Sequence, residues 1–494
     1  MTTTTNQPNT YARRATDTSD SDPGPTQAEF LIKLAAGAEL FHTPKRAGYA
    51  VIEVAGHRET WPIRSKAFHH WLLKQFFDKT NSAPHSGAFN SALGVIEARA
   101  HFGAPQADVH LRVAARDDYV YIDLCDDDWR AIEISADGWR IVATPPARFR
   151  RTAGMQPLPE PECGGSIDML RPFLNVRSEA DFILIIAWLL AALRGKGPFP
   201  ILIFSGEQGT GKSFKAAILR ALVDPNIAAL RALPRDDRDL FIAANNGYTL
   251  VFDNVSGLPG WISDTLCRLA TGGGFAVRQL YSDADEILFN STRPIMLNGI
   301  DDVGTRADLL DRAIIQSPQT IAEEKRKSEN ELWTEFNKVR SLILGALCEG
   351  IANGLKMLPS TQLNKLPRMA DFSLWIAACE SAYWPIGTFE AAYASNRNEA
   401  VDVALDGDII ASAIRILIAE QREWKGTASD LLATLNKMVT DQQLYNRDWP
   451  ALPKELAARL RRIAPPLRKA GIEIKFTREG HARARIITIT RSPD

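Results

Sequence analysis

Residues 199–223 read FPILIFSGEQGTGKSFKAAILRALV. The run from Pro200 to Phe204 is short and apolar, as suits a strand buried on both faces. Gly206-Glu207-Gln208-Gly209-Thr210-Gly211-Lys212-Ser213 then satisfies GxxxxGK[ST] at every fixed position, and from Lys212 and Phe214 onward the apolar spacing turns helical. Glycines let backbone N–H groups turn inward toward phosphate oxygens, and the helix start presents the positive end of its dipole to the same anion. Lys212 would reach the β- and γ-phosphates, the Ser213 hydroxyl would ligate Mg²⁺, and Gly206 to Phe214 together would bind the nucleotide. Strand, glycine loop and helix in this order predict a phosphate-binding loop, with ATP and Mg²⁺ as cofactors. A chance match in a glycine-rich turn is the alternative, and the flanking strand and helix weigh against it.

Outward from the loop, Thr249-Leu250-Val251-Phe252-Asp253 is a run of strand formers ending in a carboxylate. That is what a metal-holding second strand requires, although a plain strand-terminating Asp reads the same way. Arg293-Pro294-Ile295-Met296-Leu297-Asn298 is a third strand, ending in an amide that could orient water beside a γ-phosphate. Arg312, within LLDRAII, offers a guanidinium to a neighbouring subunit's nucleotide. Read singly, Asn298 suits a plain strand end, and Arg312 a surface charge, as well as these roles. Apolar strands separated by helical segments predict a buried parallel sheet.

With LCRLATGGGFAVRQLY (266–281) between the second and third strands, the ordered set resembles the ATPase core of superfamily 3 helicases. That core occurs in viral replication initiators and in primase–helicases of phages and mobile elements. The resemblance spans residues 165–325. It implies that Leu269, Thr271, Gly272, Gly273, Arg278 and Tyr281 belong to a helix, T-G-G element and basic hairpin that follow DNA in a central channel. It likewise implies that Asn298 is the sensor residue, that Arg312 acts between subunits, and that the chain assembles into a ring, a hexamer. Two positions depart from the family pattern. Asn254 stands where a second acidic residue polarises the attacking water; an amide cannot accept that proton, which predicts slow turnover. The hairpin reads Tyr281-Ser282-Asp283-Ala284-Asp285-Glu286 where the family carries Lys or Arg, and acidic groups repel DNA phosphates. Arg278 itself is either a DNA contact or a solvated strand residue.

The remaining sequence bounds this reading. A chain of 494 residues exceeds one ordinary core, and 45% apolar content excludes wholesale disorder. With 58 basic and 59 acidic residues, overall charge makes no case for nucleic acid or membrane, so any such case is local. Cys125, Cys163, Cys267, Cys348 and Cys379 are scattered without a CxxC pair, against a disulfide framework or zinc ribbon. The longest apolar run, Phe182 to Leu193, is too short to cross a bilayer, and the start of the chain lacks the pattern of a signal peptide. A cytoplasmic protein without a membrane partner is expected.

Residues 1–28 are polar and read as a disordered tail. Residues 29–160 predict a mixed α+β domain: helical AEFLIKLAAGAELF and SKAFHHWLLKQFFDKT, then the strand runs VHLRVAA, YVYIDLC, RAIEISA and WRIVATP. Within it, Asp123 with Asp126, Asp127 and Asp128 is the best match to a two-metal polymerising site, but successive acids followed by Trp129 favour a hairpin turn. His110 and the His69-His70 pair lack partners at ligand spacing and read as packed or surface histidines. Residues 165–325 predict a P-loop, AAA+-like parallel-sheet ATPase core, and 326–404 a helical region. Residues 405–494 order three helices before a hairpin, as a winged-helix-like domain does. From Ala451 onward eleven basic side chains stand against four acidic ones. Arg461 and Arg462 on its third helix and Lys475 on its wing are candidate DNA contacts, with a solvated face or protein contact as the alternative.

The whole predicts an ATP-dependent, DNA-acting ATPase of the kind carried by phages or mobile elements. The runner-up is a nucleotide switch that assembles on DNA or a partner without unwinding. A small-molecule kinase fits less well, because Asn298 and Arg312 suit a subunit-interface ATPase.

Overall fold

The computed structural model describes residues 25–273, 275–278, 286–289, 292–299, 307–363, 365–440, 444–446, 449–479 and 484–491. Two compact units divide the chain, Met1–Asp108 and Val109–Asp494. In the first, α1 (Gln27–Leu34) starts at a capping box: the Thr26 hydroxyl accepts from the Glu29 N–H while the Glu29 carboxylate accepts from the Thr26 N–H. Strands β1 (Glu39–His42), β2 (Gly48–Val54) and β3 (His57–Pro62) form an antiparallel sheet in that order. Ser65 caps α2 (Lys66–Thr80), left-handed Asn81 closes it, and α3 (Ser86–Phe102) comes next. Leu31, Ile52, Phe68, Leu72, Leu93 and Ile96 are buried together as the core of this unit. His69 is a packed histidine, set edge-on to Phe89.

The second unit begins with β4 (Val109–His110) and the antiparallel meander β5 (Val113–Arg116), β6 (Tyr119–Asp123), β7 (Ala131–Ser135) and β8 (Gly138–Val142), with β9 (Arg148–Phe149) pairing parallel to β4. The stretch 29–160 is therefore not one body. The inward side chains Val113, Val120, Ile122, Ile132 and Ile134 lie in the same core as α4 (Glu179–Ala192), so the meander belongs to the second unit. The acidic run lies in the β6–β7 connection, with Asp127 and Asp128 in its turn. Asp123 pairs with Arg151 at 2.7 Å, Asp126 with Arg130 at 2.7 Å, and the Arg151 guanidinium lies 4.1 Å from the Trp129 ring centre. Arginines occupy the carboxylates that a two-metal site would present to cations. The segment Ile167–Phe173 is a 3₁₀ helix with Pro172 inside it rather than an α-helix. In α4 every residue from Asp181 to Ala192 is buried, the pattern of a helix wrapped by protein.

The central sheet lies next in the chain. β10 (Ile201–Ser205) runs through the glycine loop into α5 (Lys212–Val223), and α6 (Asp237–Asn246) precedes β11 (Leu250–Val255). Then come α7 (Gly260–Thr271), the paired β12 (Phe275–Arg278) and β13 (Glu286–Phe289), β14 (Ile295–Gly299), α8 (Ala307–Leu310) and β15 (Ala313–Gln316). The sheet is parallel in the order β11-β14-β10-β15. Both faces are covered: Leu202, Phe204, Met296 and Ile314 share a core with α4 and α5, while Ile201, Ile203, Ile295 and Leu297 share one with α6 and α7. β15 is a strand that periodicity alone passes over, being four residues directly after the Arg312 turn.

α9 (Glu329–Met357), α10 (Ala370–Glu380) and α11 (Thr388–Gly407) extend the first of these cores. By length and composition α9 could cross a membrane, but Phe336, Ile343, Leu344, Leu347 and Ile351 are buried in that core. The chain ends with α12 (Ile409–Glu420), β16 (Glu423–Gly426), α13 (Ala428–Met438), α14 (Pro453–Lys469), β17 (Ile472–Glu479) and β18 (Ala484–Arg491). Its antiparallel sheet has the order β16-β18-β17, and Ile410, Ile414, Leu417, Leu431, Leu460 and Ile489 form its core. Strand β16, with its buried Trp424, is an element that the helix-and-hairpin pattern does not reveal.

Candidate functional site

The glycine loop turns on backbone angles that side chains resist. Gly206, Gly209 and Gly211 have φ of +146°, +78° and +75°. Glu207 and Gln208 are exposed at its outer edge, whereas Thr210 is buried and its hydroxyl donates to the Glu207 carbonyl at 3.1 Å. Gly211 is the N-cap of α5 and Lys212 its first residue. The Lys212 side chain is drawn into the loop, where Nζ donates to the carbonyls of Gly206 at 2.7 Å and Glu207 at 2.5 Å. The ammonium of Lys212 and the start of α5 thus meet at the glycine loop, an arrangement suited to a polyphosphate.

Parallel pairing brings the next residues in. Asn298 on β14 stands opposite Phe204 on β10, so its side chain faces α5, where Ser213 lies. Asn298 Nδ2 donates to Ser213 Oγ at 3.0 Å and also to Asp253 Oδ1. Ser213 Oγ donates to the same carboxylate oxygen at 3.2 Å. Asn298 is 3% exposed, so its amide has little other choice of partner and holds the carboxylate in place. A hydroxyl and a carboxylate oxygen are hard donors of the kind that Mg²⁺ takes. Asn254 comes next, at φ +53° and exposed, with its backbone N–H donating to Asp253 Oδ1 at 3.0 Å. The pairing of β11 with β14 shifts register between Phe252 and Val255, which turns this pair out of the sheet. A cavity of about 660 Å³ opens beside Asp253 and Asn254, with Arg231 and Arg235 also on its wall.

Around the loop stand residues that motif reading does not reach. Asn175, just past the 3₁₀ segment, donates its amide to the carbonyls of Thr210, at 3.1 Å, and of Gln319. Lys215, one turn after Lys212, donates to the Asn175 carbonyl at 2.7 Å and lies 5.1 Å from the Phe204 ring centre. It is 1% exposed, and burial pushes its ammonium down to about 8. The Ile321 N–H donates to the Gly209 carbonyl at 3.4 Å, so the chain after β15 passes over the loop. Lys215 stands among Ala216, Ile218 and Leu219 in a mostly apolar helix and could have been noticed in the sequence; Asn175 and the 317–328 segment carry no motif. Phe214, expected with the loop at the nucleotide, is set edge-on to Trp333.

Arg312 is not brought to its own loop. The Ile201 N–H donates to its carbonyl at 2.9 Å, so it flanks the start of β10, and the loop leaves the other end, roughly 13 Å away at 3.3 Å per residue. Its Nη1 donates to the Asp308 carbonyl at 2.8 Å. The backbone of Arg278 pairs with Glu286, while its side chain lies outside the described residues, as do Tyr281, Asp283 and Asp285. Arg461, Arg462 and Lys475 are all exposed, and the Arg461 guanidinium lies 4.8 Å from the Phe476 ring centre. Other basic side chains of that unit are engaged within the fold: Arg459 with Asp408 at 3.3 Å, Arg468 with Glu473 at 2.9 Å, and Lys469 with Asp311.

No curated protein matches the chain. The A form apo structure of the NrS-1 C-terminal region is 12% identical with a TM-score of 0.42, covering 94% of this chain and 99% of that one. A second A form apo structure of that region, residues 305–718, is 12% identical with a TM-score of 0.39, covering 94% and 100%. Likenesses of that size do not distinguish one fold from another. Residues 167–402 match the family model of the actinomycete integrative conjugative element replication protein, and residues 410–494 match the model of the C-terminal domain of that same protein. The two matches adjoin each other from just before α4 to the last residue and together take in well over half of the sequence; the chain belongs to the replication proteins of actinomycete integrative conjugative elements.

Proposed function

We propose that this replication protein binds and hydrolyses ATP on a P-loop core of the superfamily 3 type, and that it acts on DNA as a ring, a hexamer. The observation that carries the reading is the meeting of Ser213, Asp253 and Asn298 at the mouth of the glycine loop. In this reading the loop N–H groups and Lys212 hold the phosphates, and Ser213 and Asp253 hold Mg²⁺, whose bound charge would offset that of the phosphates. Asn298 fixes the Asp253 carboxylate through its amide N–H groups, which leaves its amide oxygen to orient a water beside the γ-phosphate. Arg312, at the far end of β10, suits a role toward the nucleotide of the next subunit. The C-terminal order of helix, strand, two helices and hairpin supports a winged-helix-like unit, with Arg461, Arg462 and Lys475 toward DNA phosphates.

A second reading, a nucleotide switch that assembles on DNA without unwinding it, draws on Asn254. An exposed amide stands where a carboxylate would polarise water, and the neighbouring Asp253 is already held by Ser213 and Asn298. ATP turnover and strand displacement, each measured with and without single-stranded DNA, separate the two. ATP-dependent displacement lost in Lys212→Ala supports the motor; nucleotide-dependent DNA assembly without displacement supports the switch. Mixed assemblies of Lys212→Ala with Arg312→Ala subunits should regain part of the turnover, at interfaces that keep both groups. A Lys212→Ala protein that folds and binds ATP as tightly as wild type would refute both readings.

A further inference from the structure

We infer that Arg326 is a phosphate-binding residue of the same site, supplied by the chain's own segment 317–328, which straps the glycine loop; the inference rests on the ATP-site reading above. Three approaches trace the strap. A Cβ on Gly206 would lie 3.6 Å from the Pro318 carbonyl oxygen, one on Gly211 3.3 Å from Ile321 Cδ1, and one on Gly209 3.5 Å from an Nη2 of Arg326. Two hydrogen bonds tie the strap down: the Ile321 N–H to Gly209 O at 3.4 Å, and the Asn175 amide, which donates at once to Thr210 O in the loop and Gln319 O in the strap.

The electrostatics of the strap point the same way. Lys327 pairs with Glu335 at 2.9 Å and so turns to α9. Arg326 is exposed, and its Nε makes a long bond to the Ile321 carbonyl, at 3.3 Å. Among the described residues no carboxylate lies within ion-pair distance of it. A guanidinium fork without a carboxylate, held against the backbone of an anion-binding loop, is matched in shape and charge to phosphate oxygens. The placement also separates Arg326 from Arg312. The strap is bonded to its own loop, so Arg326 acts within one chain, whereas Arg312 lies at the opposite end of β10. Glycine at 209 is required by its positive φ, and the guanidinium lies at ordinary contact distance from it.

The test measures binding of Mg–ATP and of adenosine to the full chain and to Arg326→Ala, Arg326→Lys and Lys212→Ala. Losing a charge-assisted contact should weaken Mg–ATP binding of Arg326→Ala roughly ten- to a hundred-fold, leave adenosine binding unchanged, and be partly restored by Arg326→Lys. Mixing Arg326→Ala with Lys212→Ala subunits should restore no turnover, unlike the mixture made with Arg312→Ala, because each loop would lack one of two groups that must come from the same chain. Wild-type Mg–ATP affinity in Arg326→Ala, or an equal loss for ATP and adenosine, overturns the assignment. So does recovery in the Arg326→Ala mixture. Undiminished Mg–ATP binding in Lys212→Ala is the separate result that removes the site reading itself.

Discussion

Replacing Lys215 with methionine tests how the loop is braced from beneath. Lys215 is 1% exposed, and burial lowers its pKa to about 8. An ordinary lysine titrates near ~10.4, so the shift corresponds to a cost on the order of 3 kcal/mol for keeping the buried ammonium charged. Below pH 8 both folded and unfolded chains hold the proton, and the cost is fully present. Between about 8 and ~10.4 the unfolded chain binds more protons than the folded one, so stability rises with pH through that window. Methionine is similar in length, carries no charge, and gives up the bond to the Asn175 carbonyl, a loss of about 1 kcal/mol. Lys215→Met should therefore be more stable than wild type by roughly 2 kcal/mol at pH 7, the difference between those two figures. The gain should shrink as pH rises from 8 to 10. Thermal unfolding of both proteins across pH 7 to 10 reads the difference directly, because groups common to the two cancel. Nucleotide affinity should move the opposite way by a few-fold, since Asn175 holds Thr210 in the loop and Lys215 holds Asn175. A variant less stable at pH 7, or a stability difference that does not change with pH, would refute the reasoning.

Asp224→Ala should lower stability by about 3–5 kcal/mol, read as a fall in the thermal midpoint. It leaves the fully buried Arg112 without its 3.1 Å partner and the N–H groups of Tyr248 and Thr249, at the entry to β11, without an acceptor. Asn254→Asp should raise a slow ATP turnover by up to about 10²–10⁴-fold with little change in Mg–ATP binding; unchanged turnover would mean that position 254 is not where the base is missing. Arg461→Ala combined with Arg462→Ala should weaken DNA binding regardless of sequence and reduce its log–log salt slope by about 0.9 for each phosphate contact removed. An unaltered slope would place the DNA contacts elsewhere.

The glycine loop was legible because phosphate chemistry needs particular residues at fixed spacing, and the strands carrying Asp253 and Asn298 because the apolar runs before those residues are unmistakable. What the sequence leaves open is which strands are neighbours: only the order β11-β14-β10 puts both polar ends beside Ser213. The boundary of the first domain was not legible, since strands 113–142 have the same alternation whichever core they cover, and it is α4 that claims them. β15 and β16, at four residues each, are too short for periodicity to register. Asn175 and Arg326 are ordinary polar residues until distant segments meet at the loop. No spacing rule links positions 175, 210 and 319, and only the fold makes them one contact.

The basic C-terminal stretch depends on the fold in the same way. Counted along the chain, Lys469 adds to a DNA-facing excess, yet its ammonium is engaged by Asp311, which also pairs with Arg368 at 3.2 Å and stands 4.0 Å from Arg397. Burial works against the ionised form of Asp311, but these cations outweigh it and hold the carboxyl below its ordinary range. The carboxylate gathers the end of α14, the segment before α10, and α11 around one turn, and the next residue in that turn is Arg312. The last residue of the most basic helix in the chain is thus tied to the neighbour of the arginine proposed to reach across a subunit interface. Arg461 and Arg462 lie two turns earlier on the same helix, on its exposed side. Contacts thus lead from the helix that carries those two side chains, through Lys469 and Asp311, to the residue before Arg312, although Pro465 and Pro466 interrupt the helix between Arg462 and Lys469.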